Sequence, residues 1–452
     1  MISEFSILQA DVILSSVDDE KKVVDVRNKV VQVDFYENLY KPYVDARIAL
    51  MDDFGFKNSL SIQGTERLRL VLGNETEPEE PCITKYFFFS KILDAQKANE
   101  RAELLSLELV EDHVYINAVK QISRSFESNL EDMIENVVTR DLGKDVVRNK
   151  FLGTAQGVRK VVVPYLSPLE ALNWFSSRAT TRSGAPVFVH ADLYSDELYV
   201  SDFESLMKEP PINVEVPFQY SEALSSGDDA QQELRNYTEI KNFREIEGEN
   251  SLSLYEEGAI GSFYANIDAG TGLIASEHIS IRDILTEMYV NEVIDPSATQ
   301  NIFDPSLEID GRLSDEYNSL FIHQVTSSNT YNQFKSYHDE SVLLDENNNI
   351  FESKLKVKSK IIRQIIKKNR VDLVMNGKFF FNGKVTVGNK VRVIFLNPDV
   401  TADDTDTSGS IDFRKSGDFL ILAIHHNLPL AGKHTTTLRV TKLSDLPSNI
   451  SL

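Results

Sequence analysis

Hydrophobic and polar residues alternate with a period of two through most of the segment from Val24 to Val110. Alternation of this kind puts one face of each strand on a core and the other toward solvent or a partner. The acidic, proline-containing segment 73–81 predicts a loop between two strands, the second of which contains the apolar run 86–89. We therefore predict a compact antiparallel barrel or sandwich. Its inward-facing residues include Val31, Val33, Phe35, Leu68, Leu70, Leu72, Leu105, Leu107 and Leu109.

The middle of the chain changes to the spacing of helices. Ser128 and Glu131 form a capping-box pattern, and the apolar residues that follow at helical spacing end at Gly143, the predicted C-cap. Ser167 and Glu170 form a second capping box at the start of another predicted helix. The sequence therefore predicts two capped helices in this region.

A further helix and a hairpin are predicted in the middle of the chain. A helix starts after Ser280, and residues 187–200 form a short hairpin. In the helix that begins at Ser167, Trp174 and Phe175 lie about 100° apart, so only one of them can face the core. Together these elements make the middle region a mixture of α and β structure.

The C-terminal part of the chain returns to strand patterns separated by glycine-containing turns. The predicted strands are 371–375, 384–387, 391–395, 419–424 and 437–440. Between two of them, the loop 398–417 carries five aspartates. Loops longer than about 15 residues inside compact domains are usually functional or mobile. The overall fold class is therefore α+β and mainly β.

Composition and charge exclude several classes of protein. The chain has 452 residues, of which 41% are hydrophobic and 26% charged, as in a soluble globular protein with two to four domains. Its net charge of −23 argues against wrapping a nucleic acid, because phosphate binding needs clustered Lys and Arg. With one cysteine, no intramolecular disulfide can form. The N-terminus lacks the pattern of a signal peptide and no run approaches about 18 apolar residues, so we expect no membrane insertion.

Motifs for catalysis or ligand binding are weak. None of the eight histidines has a metal-ligand spacing, and the adjacent His425 and His426 point to opposite faces of a predicted strand. The segment 377–384 resembles a phosphate loop but has the wrong glycine spacing, so a turn with buried phenylalanines is favoured. The acidic run 403–406 does not fit a calcium loop. We therefore predict no catalytic residue, no metal site and no cofactor.

One basic segment, 354–370, stands out against the acidic background because it contains no acid. Its isoleucines form an apolar stripe that leaves the cations on the other face. Two interpretations stay open: a docking helix for an acidic partner surface, such as a neighbouring subunit, or a solvated face above a core. The candidate docking residues are Lys354, Lys356, Lys358, Lys360, Arg363, Lys367, Lys368 and Arg370.

Several stretches of the sequence resemble the central baseplate hub proteins of contractile-tailed bacteriophages. The matching segments are patterns of strands and turns scattered over most of the chain. They are Val26–Tyr43, Ala46–Asp53 and Leu60–Leu70 in the opening domain, Val163–Phe175 in the middle helix, and Asn382–Val393, Ser416–Ile421 and His425–Leu438 in the closing domain.

The resemblance implies a homotrimer in which each subunit supplies two tail-tube-like antiparallel β-barrel domains, so that three subunits form a pseudo-sixfold ring. The ring would join a sixfold tail tube to a threefold central spike and let the genome pass during ejection. It would be a structural protein of the virion tail baseplate, assembled in the host bacterial cytoplasm. The implied domains are a first barrel at 1–122, a middle α/β domain at 123–205, a second barrel at 206–265 and 366–452, and an α/β insertion at 266–365.

The implied partners are the spike protein, the tail tube or tube-initiator proteins and, as a further candidate, the tape measure protein. DNA would pass without specific binding, so the channel wall should be acidic or neutral and its lysines should lie elsewhere. Apolar residues expected on the second faces of strands, such as Val71, Phe87 and Phe89, also favour a trimer. Two alternatives remain: the spike hub of a related bacterial contractile injection particle, and a tail-associated cell-wall hydrolase.

Overall fold

The computed structural model describes most of the chain. The described residues are 5–14, 22–53, 55, 66–74, 83–98, 102–155, 157–220, 238–246, 251–268, 274–294, 308–326, 348–368, 370–396, 411–430 and 434–444. Most of the predicted acidic loop, residues 397–410, and most of the predicted loop after Asn74, residues 75–82, lie outside the described residues.

Strands dominate the fold. In chain order they are β1 Phe5–Leu14, β2 Lys22–Asp25, β3 Val30–Asn38, β4 Asp45–Asp52, β5 Arg67–Asn74, β6 Ile83–Lys97, β7 Glu103–Val110, β8 Ser125–Ser128, β9 Val146–Lys150, β10 Arg159–Val162, β11 Val187–Ala191, β12 Leu198–Asp202, β13 Phe218–Tyr220, β14 Ile240–Ile246, β15 Gly261–Asp268, β16 Ile274–Ser280, β17 Glu308–Ile309, β18 Arg312–Leu313, β19 Leu320–Thr326, β20 Arg370–Asn376, β21 Lys390–Phe395, β22 Gly417–Pro429 and β23 Thr435–Thr441.

The described helices lie mainly in the middle of the chain. They are α1 Asp112–Val119, α2 Leu130–Asn136, α3 Pro168–Ser176, α4 Phe203–Lys208, α5 Ser251–Glu256, α6 Ile281–Val290, α7 Asn348–Lys368 and α8 Lys378–Asn382. A π-helical turn, Val137–Leu142, continues α2 and ends at Gly143, whose φ of 71° is left-handed. The predicted C-cap is therefore confirmed.

Thirteen strands form one sheet that joins the two ends of the chain. Its main path runs β14-β20-β23-β22-β3-β4-β7-β6-β5-β1-β2, and β21 and β13 branch from β22. All pairs along the main path are antiparallel. The two β modules meet where β22 pairs with β3, from Ala423 opposite Asn38 to Pro429 opposite Gln32. We call this pairing the seam.

The mainly β, α+β fold class is confirmed, but the described strands do not pair all the way round into the expected closed barrels. Their main path has β14 at one end and β2 at the other, and one isolated bridge, Gln219 to Glu239, links β13 to the start of β14. The physical reason is the seam: β3 uses one edge to pair with β4 and the other to pair with β22, so the first module continues into the second. The division into separate domains remains a prediction, and its boundary at 265/266 falls within β15.

The first module packs the buried faces of its strands against α2 and α3. Phe87 and Phe89 of β6 are 0% and 1% exposed within this core, and Val71 is also buried. The expectation that these side chains cover a second face toward a partner is therefore wrong. Val31 was also expected to face inward, but a bulge between Val30 and Gln32 shifts the alternation, so Val30 is buried and Val31 exposed.

The middle helices follow their predicted faces with one exception at a cap. In α3, Glu170 accepts hydrogen bonds from the Ser167 N–H at 2.9 Å and its hydroxyl at 2.8 Å, which confirms the capping box. Phe175 is fully buried and Trp174 is half-buried, as expected from their angular separation. The capping box at Ser128 is wrong, because α2 begins one residue later with Asn129 at the N-cap.

The predicted hairpin is confirmed as β11 and β12. Strand β11 lies between two cores, and every one of its residues is buried. Val187 and Val189 belong to the core of the first module, whereas Phe188 belongs to the second core. A strand buried on both faces loses the polar alternation of a surface strand. The middle region thereby ties the two modules together.

The second core gathers the sheet around β20 to β23 with α4, α6, α7 and α8. Helix α6 buries its four predicted core residues, and the Ser280 side chain accepts a hydrogen bond from the Asp283 N–H. A small sheet, β16-β15-β19, packs beside α7. The buried residues of α7 are Leu355, Val357, Ser359, Ile361, Ile362, Ile365 and Ile366.

The segment between Gly377 and Gly388 differs from its prediction. Residues 378–382 form the short helix α8, in which Phe380 and Phe381 are buried as expected, but residues 384–387 do not form a strand. Lys384 has a positive φ of 48°, which turns the chain, and Val385 donates its N–H to the Phe380 carbonyl. Val385 and Val387 reach the second core from a loop. Two buried valines separated by one residue have the same sequence pattern as a strand, which is why a strand was predicted here.

Candidate functional site

The central strands carry buried and open side chains on alternate positions. In β3, Val33, Phe35 and Glu37 are buried, whereas Asp34 and Tyr36 lie on the open side. The same alternation continues through β4, β7 and the second half of β22, so the open positions form one continuous surface. We call this surface the polar face. Its described members include Gln32, Asp34, Tyr36, Asp45, Arg47, Glu108, Asp372, Ala423, His425, Asn427, Thr437 and Arg439.

Strand register places opposite charges beside each other across the polar face. Asp372 in β20 lies opposite Arg439 in β23, and the guanidinium donates two hydrogen bonds to the carboxylate at 2.9 and 3.0 Å. Glu108 in β7 lies opposite Lys91 in β6, and the two form an ion pair at 3.0 Å. Charged pairs directly across a ladder stabilise that register.

The polar face has an aromatic and acidic centre at the seam. His425 stacks on Tyr36 with ring centroids 4.3 Å apart and planes 10° apart, and the Arg47 guanidinium lies 5.4 Å from the centroid of the Tyr36 ring. Asp34 lies 2.9 Å from His425 Nε2 and accepts hydrogen bonds from Gln32 and Asn427, both at 2.7 Å. Burial would raise the pKa of Asp34, but these hydrogen bonds outweigh it and lower the pKa.

A concave surface of about 650 Å³ lies over this centre and is lined by both seam strands and their neighbours. Its basic and acidic side chains alternate, and Lys41 pairs with Asp45 at 2.7 Å. Such a surface presents hydrogen-bonding groups and no large patch of one charge, so it gives no strong attraction to a polyanion. The alternation of polar residues along these strands was visible in the sequence. The pairing of β3 with β22, which brings those residues together, was not.

The basic segment does not form a uniformly free cationic face. Lys354 pairs with Glu277 at 2.5 Å, and Lys358 pairs with Glu287, so both lysines hold the small sheet and α6 against α7. Arg363 donates a hydrogen bond to the Val187 carbonyl at 2.9 Å. Its burial lowers its pKa. These three candidate docking residues therefore make contacts within the chain.

The remaining candidates divide by exposure. Lys360 and Lys367 are exposed, whereas Lys356 and Arg370 are half-buried. Lys368 is the last residue of α7, and its side chain lies outside the described part of the structure. Helix α7 contributes its buried residues to the second core and packs against β15 and β16 of the small sheet.

The described histidines and acids form no metal site. Across the described residues, no group of three or more His, Cys, Asp or Glu side chains is placed to hold a metal ion. His425 lies on the polar face and His426 is fully buried, which confirms their predicted opposite directions. In the described part of the chain, no helix has the length and apolar character needed to cross a bilayer. Asp412, from the end of the acidic loop, accepts hydrogen bonds from the Arg414 and Lys415 N–H groups, both at 3.1 Å.

Comparison with solved structures identifies the fold. The chain superposes on the tail protein from Neisseria meningitidis MC58 with a TM-score of 0.53 and 11% identity, covering 97% of each chain. It superposes on the 43 kDa tail protein of prophage MuSo2 from Shewanella oneidensis with a TM-score of 0.51 and 12% identity, covering 96% of this chain and 98% of that one. The chain has a phage tail-protein fold. No protein-family model and no curated protein matches the sequence.

The phage tail-protein fold extends over nearly the whole chain, so it includes both β modules, the middle region and the insertion. The resemblance inferred from scattered strand and turn segments is therefore confirmed at the level of the fold. At identities of 11% and 12%, what transfers between these proteins is the arrangement of elements.

Proposed function

We propose that this protein is a structural component of a phage-type tail, the central baseplate hub that joins the tail tube to the spike. The observation that carries the proposal is the continuous sheet, which is covered on one side by both cores and bare on the other, where the polar face lies. A sheet with one covered and one bare polar face is suited to form the wall of a channel. The phage tail-protein fold supports the same role.

In this proposal the polar face lines the channel through which the genome passes. Two cations on this face are bound by carboxylates, in the Arg439–Asp372 pair and the Lys91–Glu108 pair, whereas Arg47 lies over the Tyr36 ring. A protein that holds duplex DNA uses cations to neutralise phosphates, and each such contact releases counterions. An arginine already bound by a carboxylate must give up that partner before it can bind a phosphate. The wall would therefore let DNA slide without retaining it.

The same proposal includes a homotrimer. Within the described strands, β2 ends the main path of the sheet and pairs along it only with β1, whereas the start of β14, at the other end, is bridged to β13 through Glu239 and Gln219. Unpaired strand edges are a route to uncontrolled association unless they are covered, and a closed ring of copies covers them. The support for assembly thus comes from these edges, since Val71, Phe87 and Phe89 are buried within the chain.

The proposed partners contact the ring at different surfaces. The central spike protein would bind below, and the tail tube or tube-initiator proteins above, with the tape measure protein entering the channel. The exposed cations of α7, Lys360 and Lys367, would dock an acidic surface of a neighbouring protein or subunit on the outside of the ring. The proposed location is the tail baseplate of a virion that is assembled in the host bacterial cytoplasm.

Native mass spectrometry and electron cryomicroscopy of the purified protein, and of tail particles that contain it, test the assembly. The expected result is three copies in a ring with the polar face lining the bore. A monomer that persists within the particles, or a ring with the polar face on its outside, contradicts the proposal.

Two further assays separate a passive hub from the alternatives. Linear duplex DNA should not be retained by the purified ring at about 150 mM salt, whereas retention would indicate a DNA-holding role. A zymogram on bacterial peptidoglycan, with a muramidase as positive control, should show no clearing by this protein. Clearing would indicate the cell-wall hydrolase instead.

A further inference from the structure

A row of four buried polar side chains crosses the seam beneath the polar face. Glu37 of β3 and His426 of β22 are 1% and 0% exposed, and Glu37 Oε1 lies 3.7 Å from His426 Nε2. His426 Nδ1 lies 3.0 Å from the Thr436 hydroxyl, which in turn lies 3.3 Å from His434 Nε2. The first two groups come from different β modules, so this row spans the junction between them.

The surroundings hold these groups in place. The Phe381 ring packs on both imidazoles, with centroids 4.6 Å from His426 and 4.7 Å from His434. Gly377 lies directly against the His434 ring, where an added Cβ would come within 2.0–2.2 Å of the ring atoms. Glu37 Oε2 is fixed by a 2.6 Å hydrogen bond from the Thr386 hydroxyl. Side chains packed this closely cannot turn toward water to satisfy their remaining polar atoms.

Two atoms at the start of the row lack hydrogen-bond partners among the described residues, namely Glu37 Oε1 and His426 Nε2, and they face each other. At 3.7 Å these two atoms are too far apart for a hydrogen bond, so neither tautomer of a neutral His426 gives an ionised Glu37 a close donor at Oε1. Within the part of the chain that the structure describes, no Lys or Arg side chain forms an ion pair with Glu37, so an ionised carboxylate would be a buried charge without a cation. A proton on Glu37 removes that charge. The contacts from His426 through Thr436 to His434 are hydrogen bonds between uncharged groups in either direction.

We propose that Glu37 is protonated in the folded protein, so that the seam between the two β modules buries an uncharged carboxyl group, and that the seam loosens when alkaline pH removes that proton. The inference stands on the seam itself and does not depend on the proposed tail role.

The charged and titratable groups around the pair come from several elements. Burial raises the pKa of Glu37 to about 8, although Thr386, the Val387 N–H and the charge of Lys85 in β6 oppose the shift. The charge of Asp192, which follows β11, adds to it. Burial lowers the pKa of His426 to about 3, aided by His425, and lowers that of His434 to about 2, aided by His426 and by Lys241 in β14. Both histidines are therefore neutral where Glu37 titrates.

The sign of the pH effect follows from proton counting. Between the ordinary carboxyl pKa of 4.5 and about 8, the folded protein keeps the Glu37 proton that the unfolded chain has released. Stability contributed by this proton therefore falls as pH rises through that interval. Above it, an ionised carboxylate stays buried opposite an uncharged imidazole with no cation paired to it. The seam should accordingly be the part of the sheet most sensitive to alkaline pH.

The test compares the full-length protein with Glu37→Gln and with Asp34→Asn, a matched control on the polar side of the same strand. The amide introduced by Glu37→Gln has nearly the same shape as the protonated carboxyl group but cannot ionise. Thermal unfolding midpoints from about pH 5 to about pH 9 should fall with pH in the wild type and in Asp34→Asn, and the fall should be much smaller in Glu37→Gln. An equal fall in all three proteins overturns the proposal.

Infrared spectroscopy of the wild-type protein gives a second readout that does not need a folded variant. A protonated-carboxyl band should be present near pH 7, should disappear on alkaline titration and should be absent from Glu37→Gln if that variant folds. In parallel, hydrogen exchange of β3 and β22 amides, corrected for the intrinsic pH dependence, should rise more than that of β4 and β7 over the same titration. A wild type with no such band, or with uniform exchange changes, overturns the proposal.

Discussion

A buried ion pair in the first module, where that module contacts the middle region, gives a quantitative test of the fold. Lys85 of β6 is 5% exposed and Glu111, just before α1, is 3% exposed, and their charged atoms lie 3.0 Å apart. The ammonium also donates to the Asp192 carbonyl at 3.1 Å and the Ser195 carbonyl at 2.5 Å. Glu111 accepts a second hydrogen bond from the Val44 N–H at 2.8 Å.

The substitution Lys85→Met keeps most of the side-chain volume and removes the charge. It leaves the Glu111 carboxylate buried with the Val44 N–H, and it removes the donor from two carbonyls. Removing one partner of a buried pair costs about 3–5 kcal/mol, because the other charge stays uncompensated. The double variant Lys85→Met with Glu111→Gln should cost less than the sum of the two single variants, since no lone charge remains.

Trp174 provides the signal for this measurement, because it is the single tryptophan and packs against the core of the first module. Guanidinium unfolding followed by its fluorescence gives the change in midpoint and slope. Lys91→Met is the matched control, since Lys91 pairs with Glu108 but its side chain is 60% exposed. The control should change stability by less than about 1 kcal/mol. If Lys85→Met lowers the free energy of unfolding no more than Lys91→Met, or if the double variant lowers it by the full sum, Lys85 and Glu111 do not form a coupled buried pair.

Three other substitutions test separate parts of the structure. Phe175→Ala removes a fully buried ring that makes an edge contact with Phe126 at 5.6 Å, and should cost about 3–5 kcal/mol by circular-dichroism-monitored unfolding, whereas a cost below about 1 kcal/mol would show that the helix faces are wrong. Gly377→Ala should lower the melting temperature and regain part of it when His434→Ala is added, and no regain would contradict the close contact between them. Asp372→Asn should cost less than about 1 kcal/mol but increase DNA retention in a filter-binding assay, because it releases the Arg439 guanidinium, and unchanged retention at low salt would contradict the paired-wall reasoning.

Local elements could be predicted from the sequence where the signal and its physical cause lie close together. The capping box at Ser167 and the core stripe of α6 are examples, since each is set by residues within a few positions. The bulge at Val30 could not be predicted, because it depends on how β3 pairs with β4. The strand predicted at 384–387 is wrong because buried valines in a loop can show the same alternation as a strand.

The seam shows the larger limit. It pairs residues 32–38 with residues 423–429. Neither segment carries a sequence signal that identifies the other as its pairing partner, so this pairing could not be predicted. The buried carboxyl was more accessible to sequence reasoning. Glu37 continues the inward series of Val33 and Phe35, so an acid in phase with core residues was a visible sign of a buried polar group. Its partner, His426, could not be identified without the seam.

The polar face changes the electrostatic argument that the net charge first suggested. A chain of charge −23 predicts an acidic or neutral wall poor in lysine and arginine, yet Arg47 and Arg439 both lie on the polar face. The register between β20 and β23 limits phosphate binding at Arg439, because it places Asp372 directly opposite the guanidinium. A slip of one residue in either strand would separate those charges, because it would turn Asp372 of β20 or Arg439 of β23 toward the opposite face. On the proposed wall, passage of DNA without retention therefore depends on strand pairing rather than on the total charge of the protein.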